Sequence, residues 1–290
     1  MLKERIQSSI ILFALFSLTY FFLDYIFFEF LVLAVGGFLL FELSNILKLY
    51  KLSLLFFWVL ASTPLLIYFI ATLTSNFGNL FNLSEYFYFT NTLYPLISNF
   101  LSISIPFLVS LSLIFWLFIV PVDIFYKKLS SNPLIKVFYG LFLITPMLLS
   151  IMSIFVTNKN ILLVIILMIW LADISAYFSG KRFGRIKIAK KISPGKTLEG
   201  FFGGLLSNVI FSSLLHIYGF LNIFEGLLLA VLVTTLSLYG DIYESFLKRM
   251  AKMKDSSNLI PGHGGFLDRM DSFCSTIPIL YFLLRAFEYI

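Results

Sequence analysis

Long apolar segments, each about the length of a membrane-crossing helix, occupy most of this 290-residue chain. A transmembrane helix needs about 20 mostly apolar residues, and about nine segments reach that length. They are residues 6–23, 26–46, 53–73, 99–120, 135–156, 161–179, 200–219, 222–240 and 273–290. Only 12% of the residues are charged, whereas a soluble domain carries about 25%. The sequence therefore predicts an all-α fold, a polytopic bundle of membrane-spanning helices.

The basic residues are distributed unevenly between the connections. If the N-terminus lies in the cytoplasm and nine spans alternate, every Lys and Arg among the 21 falls on the cytoplasmic side except Lys159 and Arg285. Cytoplasmic loops of membrane proteins carry an excess of Lys and Arg. No small-residue cleavage site follows the first segment, so we interpret it as a retained span. We therefore expect a multi-pass protein of the inner (cytoplasmic) membrane.

The charge pattern also divides the chain into two regions. Residues 1–98 form an N-terminal transmembrane region, and its stretch 74–98 lacks Lys and Arg. We expect that stretch to be an interfacial or external loop, with Tyr86, Tyr88 and Tyr94 at the headgroup level. Residues 99–290 form a C-terminal transmembrane region. It contains two charged loops on the cytoplasmic side, 180–198 and 241–272, where we expect the chemistry.

The stretch 241–272 combines carboxylates with basic groups. Asp268 and Asp271 are three residues apart, so a helix would place both on one face, and Asp241 and Glu244 repeat the spacing. Mg²⁺ typically binds one or two carboxylates together with phosphate oxygens and water. Basic groups that suit phosphate lie nearby: Lys248, Arg249, Lys252 and Arg269. This combination is typical of phosphoryl or nucleotidyl transfer, although a solvated loop of ion pairs would have the same composition.

The same loop contains glycines and a histidine. Gly262, Gly264 and Gly265 allow a sharp bend and can present backbone N–H groups to an anion. His263 lies between them and titrates near neutral pH. It is a candidate acid, base or phosphate ligand, and the alternative is that it only holds the turn.

A second cluster of polar residues lies at 173–199. Asp173 is inside an apolar segment, where an ionisable group is costly and is a functional candidate by default. Candidates for substrate binding follow it: Lys181, Arg182, Ser193, Lys196, Thr197 and Glu199. Ser193, Thr197 and Glu199 are alternatively helix-capping residues, and the basic residues alternatively bind anionic lipid headgroups. For Glu42, inside the second segment, we favour a structural role.

The stretch 245–271 resembles the signature of the bacterial phosphatidate cytidylyltransferase (CDP-diacylglycerol synthase) family. That pattern runs S-x-[aliphatic]-K-R, then K-D, then H-G-G-x-x-D-R-x-D. Its fixed positions are filled here by Ser245, Lys248, Arg249, Lys254, Asp255, His263, Gly264, Gly265, Asp268, Arg269 and Asp271. Residues 173–200 are similar to an upstream block of the family. Gly195 departs from that block, in which many members have Lys, so one phosphate contact is in doubt.

The resemblance implies a reaction and a set of roles. The reaction is CTP + phosphatidate → CDP-diacylglycerol + pyrophosphate, with Mg²⁺ and a neighbouring K⁺ as cofactors. Asp241, Asp268 and Asp271 would form the metal centre. The groups around it would be Glu244, Lys248, Arg249, His263 and Arg269. The implied partners are CTP, phosphatidate, the lipid bilayer and a second copy in a homodimer, with no nucleic acid. A CTP-dependent polyprenol or lipid kinase and an anion transporter are the alternatives.

Overall fold

The structure, a computed structural model, describes residues 2–80, 94–287 and 289. Tyr86 and Tyr88 lie outside the described residues. The helices, in chain order, are α1 (Leu2–Ser17), α2 (Tyr25–Leu47), α3 (Lys51–Leu80), α4 (Tyr94–Ile114), α5 (Val120–Tyr126), α6 (Pro133–Leu143), α7 (Thr145–Phe183), α8 (Leu198–Ile217), α9 (Ile223–Met250) and α10 (Leu267–Ala286). Short π-helical segments, Leu18–Phe22 and Phe115–Ile119, follow α1 and α4.

Within the described residues, six helical stretches are long and apolar enough to cross a membrane. They are Tyr25–Leu47, Lys51–Leu73, Asn99–Tyr126, Pro133–Phe183, Leu198–Ile217 and Ile223–Met250. Large apolar side chains also cover the outside of the bundle, among them Phe22, Phe125 and Phe224, each more than three quarters exposed. Lipid is the solvent that suits such a surface. The chain is therefore an all-α, multi-pass membrane protein.

The predicted segments map onto these stretches with two differences. Segments 135–156 and 161–179 both lie in Pro133–Phe183, which is 51 residues long. A straight helix of that length would span about 76 Å, far more than one bilayer. Its backbone is broken at Asn158 (φ −154°, ψ 86°), between the two predicted segments. Segment 6–23 is helical as far as Phe22 and segment 273–290 as far as Ala286, but neither is among the six.

Helix α7 lies at the centre of the bundle and packs against α2, α3, α4, α6, α8, α9 and α10. Its closest neighbour is α8, and glycines at the start of α8 permit the approach. A Cβ on Gly204 would lie 2.9 Å from the carbonyl oxygen of Ala172 on α7. Small residues at helix interfaces allow backbones to approach closely in membranes. The glycine-rich segment 200–204 therefore has a packing role.

The two charged segments contain more regular structure than we predicted. In the first, α7 continues to Phe183, and a two-stranded antiparallel hairpin follows, β1 (Lys187–Ala189) and β2 (Ser193–Thr197). In the second, α9 continues to Met250 and α10 begins at Leu267, so only residues 251–266 form a loop. The helix continues because Tyr243, Phe246 and Leu247 are buried at helical spacing. Most of the candidate carboxylates therefore lie on rigid helices.

Candidate active site

The predicted acidic and basic residues come together at one end of the bundle. Asp173 lies on α7, and Lys196 lies on β2. Asp241, Glu244 and Lys248 lie on the last three turns of α9, and Asp268 and Asp271 lie on the first turns of α10. Both carboxylate pairs therefore lie on helices. Within this end of the bundle, the charges form two groups, one around Lys196 and one around Lys248.

In the first group, the Lys196 ammonium is surrounded by carboxylates. It forms an ion pair with Asp241, and 27% of its side chain is exposed. The negative charges of Asp173 and Asp271 also act on it. Burial alone would lower the pKa of Lys196, but Asp241, followed by Asp173 and Asp271, outweighs that effect and raises the pKa above its usual value. Lys196 is therefore a firmly charged cation among three acidic side chains.

The carboxylate of Asp173 is held by serines from two other helices. Ser237 Oγ on α9 lies 2.9 Å from Asp173 Oδ1, and Ser272 Oγ on α10 lies 3.1 Å from Oδ2. Both serines are buried. The backbone N–H of Ser272 also donates to Asp271 Oδ1 at 2.8 Å. These bonds fix the three helices relative to one another. Neither Ser237 nor Ser272 could be predicted from a sequence motif.

In the second group, Lys248 bridges two carboxylates. Its Nζ lies 2.7 Å from Glu244 Oε2, one turn earlier on α9, and 2.6 Å from Asp268 Oδ1 on α10. Asp268 also accepts the backbone N–H of Ser256 at 3.0 Å and that of Gly265 at 2.8 Å. Burial tends to raise the pKa of Asp268, but the bonds from Lys248 and Gly265 outweigh it and hold the pKa below its usual value. Asp268 therefore remains ionised and anchors the loop.

The backbone of the loop lies very close to the carboxylates of Asp268 and Glu42, and two glycines make this possible. Gly264 has a left-handed backbone (φ +86°), and a Cβ there would lie 2.5 Å from Asp268 Oδ2. A Cβ on Gly265 would collide with the side chains of Ser256 and Glu42. The bend of this loop around a carboxylate therefore requires glycine at both positions.

The remaining residues of the signature hold the loop in shape. Arg269 donates from Nη2 to the carbonyl oxygen of His263 at 2.7 Å, and Arg249 donates from Nη1 to that of Met253 at 3.1 Å. His263 Nδ1 lies 2.8 Å from the hydroxyl of Ser8 on α1. These contacts fit the interpretation in which His263 holds the turn, although Arg249 and Arg269 remain exposed.

The residues around the hairpin divide into structural and exposed groups. Thr197 is the N-cap of α8 and accepts the backbone N–H of Gly200 at 3.1 Å. Glu199 accepts the backbone N–H of Ile186 at 3.2 Å. Ser193 is half-buried at the start of β2. Lys181 and Arg182 are exposed at the end of α7, where each cation lies over an aromatic ring. Capping therefore accounts for Thr197, whereas Glu199 holds the segment that precedes β1.

The side chains at this end of the bundle provide some of the oxygen ligands that a cation such as Mg²⁺ requires. Among the described residues, no set of three or more His, Cys, Asp or Glu side chains lies close enough together to hold a metal ion. Mg²⁺ needs only one or two carboxylates when phosphate oxygens and water complete its shell. Asp241 and Asp271, whose charges act on each other, offer two. Asp268 is already occupied by three donors.

A cavity of about 660 Å³ lies at the other end of the bundle. Apolar side chains from α7, α9 and α10 line most of it, among them Ile161, Leu232 and Leu280. Along α9, Leu232 precedes Asp241 by nine residues, or about 13 Å. The cavity is therefore not part of the charged site.

The fold and the site together define the class of this protein. It is a polytopic membrane protein whose helices bring acidic and basic side chains together at one end of the bundle. The chain belongs to the cytidylyltransferase family, because that family's sequence model matches residues 3–287. This match confirms the resemblance carried by the signature.

Several curated bacterial proteins are similar to this chain. The phosphatidate cytidylyltransferase of Aquifex aeolicus (strain VF5) is 39% identical over 163 residues, which cover 56% of this chain and 62% of the relative. That of Haemophilus influenzae (strain ATCC 51907 / DSM 11121 / KW20 / Rd) is 36% identical over 166 residues, 52% of this chain and 58% of the relative. That of Bacillus subtilis (strain 168) is 43% identical over 122 residues, 41% and 45% respectively. The chain therefore spans between 45% and 62% of the length of these relatives.

Proposed function

We propose that this chain is a phosphatidate cytidylyltransferase, which makes CDP-diacylglycerol and pyrophosphate from CTP and phosphatidate in phospholipid biosynthesis. The observation that supports it most is the convergence of Asp173, Asp241 and Asp271 around Lys196, at the end of the bundle that also carries the signature loop. The bacterial relatives, which are phosphatidate cytidylyltransferases, support the same reaction.

The reaction needs positioning more than it needs a strong base. A phosphate oxygen of phosphatidate attacks the α-phosphorus of CTP. The bond from that phosphorus to the bridging oxygen breaks, and its electron pair leaves with pyrophosphate. The attacking oxygen is already anionic, so alignment and charge stabilisation dominate catalysis. Both substrates are polyanions, so the site must offset their mutual repulsion.

We assign the charged groups to two tasks. Asp241 and Asp271 are the proposed ligands of Mg²⁺, with K⁺ nearby, and such a cation offsets phosphate charge when it is bound. Asp268 was predicted as a third ligand, and we propose instead that it organises the loop, because three donors already occupy it. The proposed phosphate-binding groups are Lys181, Arg182, Lys196, Lys248, Arg249 and Arg269.

The proposed topology follows from the charge distribution. We infer about nine membrane spans, a cytoplasmic N-terminus and an inner-membrane location, with residues 99–290 as the catalytic region. Both charged connections would then face the cytoplasm, where CTP is available. The lipid headgroup would reach the same end from the inner leaflet. We also propose that the protein is a homodimer, on the basis of the family alone.

An assay of the purified protein tests the reaction. We expect CTP labelled in the cytidine to yield labelled CDP-diacylglycerol and free pyrophosphate when phosphatidate and Mg²⁺ are present. Release of CDP with phosphorylation of the lipid acceptor would instead identify a CTP-dependent lipid kinase. Anion flux across liposomes without nucleotide turnover would identify a transporter.

A further inference from the structure

A carboxylate from the N-terminal region reaches the signature loop. Glu42, on α2, is fully buried. Its Oε1 accepts the hydroxyl of Ser257 at 2.6 Å and the backbone N–H of Phe266 at 3.0 Å. Its Oε2 accepts the hydroxyl of Ser256 at 2.8 Å and the backbone N–H of Leu267 at 2.7 Å. Four donors therefore occupy the four lone pairs of this carboxylate.

Two of these bonds cap α10. The first N–H groups of a helix have no partner inside the helix, and an N-cap side chain usually satisfies some of them. Here Phe266 is in the N-cap position and forms no side-chain cap. Glu42 supplies the missing acceptor from another helix, and its negative charge is favourable at the positive end of the helix dipole. The orientation of α10 at its first turn therefore depends on α2.

The same carboxylate fixes the loop next to Asp268. Ser256 has a single hydroxyl proton to donate, and its Oγ lies nearer to Glu42 Oε2 (2.8 Å) than to Asp268 Oδ2 (3.1 Å). The backbone N–H of Ser256 is then left for Asp268, at 3.0 Å. Glu42 thus holds one side of the loop while Asp268 and Lys248 hold the other. A shift of Glu42 would be transmitted to Asp268 and, one turn further along α10, to Asp271.

We propose that Glu42 is a positioning residue for cytidylyl transfer, which caps α10 and fixes loop 251–266 so that Asp271 and Lys248 meet the substrates. This role rests on the function proposed above. It places an element of the active site in the N-terminal region, more than 200 residues before the loop.

Helix α2 itself provides a matched control. Glu29 is also fully buried on α2 and pairs with the hydroxyl of Thr72 on α3. It precedes Glu42 by 13 residues, or about 20 Å along the helix. Glu29→Gln and Glu42→Gln are thus the same chemical change in one helix, and only the second touches the loop.

The test compares turnover with local hydrogen exchange in these two variants. We expect Glu42→Gln to lower kcat about 100-fold, because an error near 1 Å in a positioned group has that cost, with a smaller change in KM for CTP. We expect amide exchange in residues 255–267 to rise about tenfold, equivalent to about 1.4 kcal/mol of lost local protection. Glu29→Gln should leave both readouts within about twofold. Glu42→Asp, which keeps the charge, should recover part of the turnover.

Two outcomes would overturn the proposal. One is that Glu42→Gln and Glu29→Gln have the same kcat and the same exchange in the loop. The other is that Glu42→Gln loosens the loop while kcat is unchanged. If Glu42→Gln fails to insert, Glu42→Asp and Ser257→Ala decide by the same two readouts. If the wild-type protein makes no CDP-diacylglycerol, the proposed function fails, and the exchange data alone test the capping role.

Discussion

At the scale of single residues, the two aspartates of the signature on α10, Asp268 and Asp271, have different environments. Asp268 is occupied by Lys248 and by two backbone N–H groups. Asp271 instead interacts electrostatically with Asp241, Asp173 and Lys196. Equal spacing along a helix therefore does not imply an equal role, because adjacent turns of α10 contact different partners.

Substitution of Asp271 tests its role as a cation ligand. We expect Asp271→Asn to lower turnover by about 10²–10³-fold, since a preorganised charge in such a site is typically worth that much. The protein should remain inserted and monodisperse in detergent. Lys190→Ala, on an exposed position, serves as the control and should be mild. Near-normal turnover in Asp271→Asn would remove the ligand assignment.

The pH dependence of stability tests the anchoring role of Asp268. In the folded state the pKa of Asp268 lies below its ordinary value of 3.8. The hydrogen bonds to ionised Asp268 therefore stabilise the folded state fully above the ordinary pKa. That contribution is lost as the pH falls through the pKa of the folded state. We expect Asp268→Asn to cost about 2 kcal/mol at pH 7, because hydrogen bonds to a charged group are lost.

The corresponding measurement is the thermal midpoint in detergent at pH 7 and at pH 3. The gap between wild type and Asp268→Asn should narrow at the lower pH. A gap that is independent of pH would mean that the ionised carboxylate does not anchor the loop.

At the scale of elements, α7 and α8 are held together by close backbone contact. The first two turns of α8 carry Gly200, Gly203 and Gly204, and each would place a Cβ against α7. In lipid, helix association relies on such packing because the hydrophobic effect between helices is absent. The positions of Asp173 and Lys196 relative to each other depend on this interface.

Adding a methyl group to this interface gives a direct test. Gly204→Ala would place a Cβ 2.9 Å from the carbonyl oxygen of Ala172, and we expect a loss of about 1–3 kcal/mol from overpacking. Gly37→Ala on α2 is the matched control, because nothing lies within 4 Å of its Cβ. Thermal midpoints of both variants in detergent provide the comparison. Equal midpoints would contradict the packing role.

At the scale of the whole molecule, the charged site and the Asn158 break lie at opposite ends of the second part of α7, residues 158–183. Helix α9 also runs towards the site: Asn222 precedes its first turn, and Lys248 of the site lies in its last turn. The site should therefore lie on one side of the membrane and residues 158 and 222 on the other.

Cysteine labelling tests this sidedness. The native Cys274 is buried and should react slowly. We expect Lys190→Cys to react with a membrane-impermeant thiol reagent only in inside-out vesicles, and Asn222→Cys only in right-side-out vesicles. This expectation follows from the excess of basic residues on the cytoplasmic side. Labelling of both from one side would contradict the proposed topology.

Most residues of the site could be predicted from the sequence, but the contacts between them could not. Hydropathy located the helices, the signature located Lys248, Asp268 and Asp271, and the three-residue spacing from Glu244 located Asp241. All of these signals are local in sequence. The β-hairpin at 187–197 was not predicted, because four Lys among these 11 residues leave no alternation of apolar and polar residues in the two short strands. The predicted end of α9 came too early, because the charged residues after 240 outweighed the apolar residues of its buried face in the hydropathy pattern.

The sequence by itself determined the all-α membrane class, the family and the residue types of the site. These follow from the length of apolar runs and from the spacing of charges within 27 residues, 245–271. Only the tertiary structure decided which groups meet. It joined Glu42 to the N-terminus of α10, across 225 positions, and it gave Asp268 and Asp271 different partners. Such contacts depend on how helices distant in sequence pack, and no local pattern of hydropathy or charge encodes that choice.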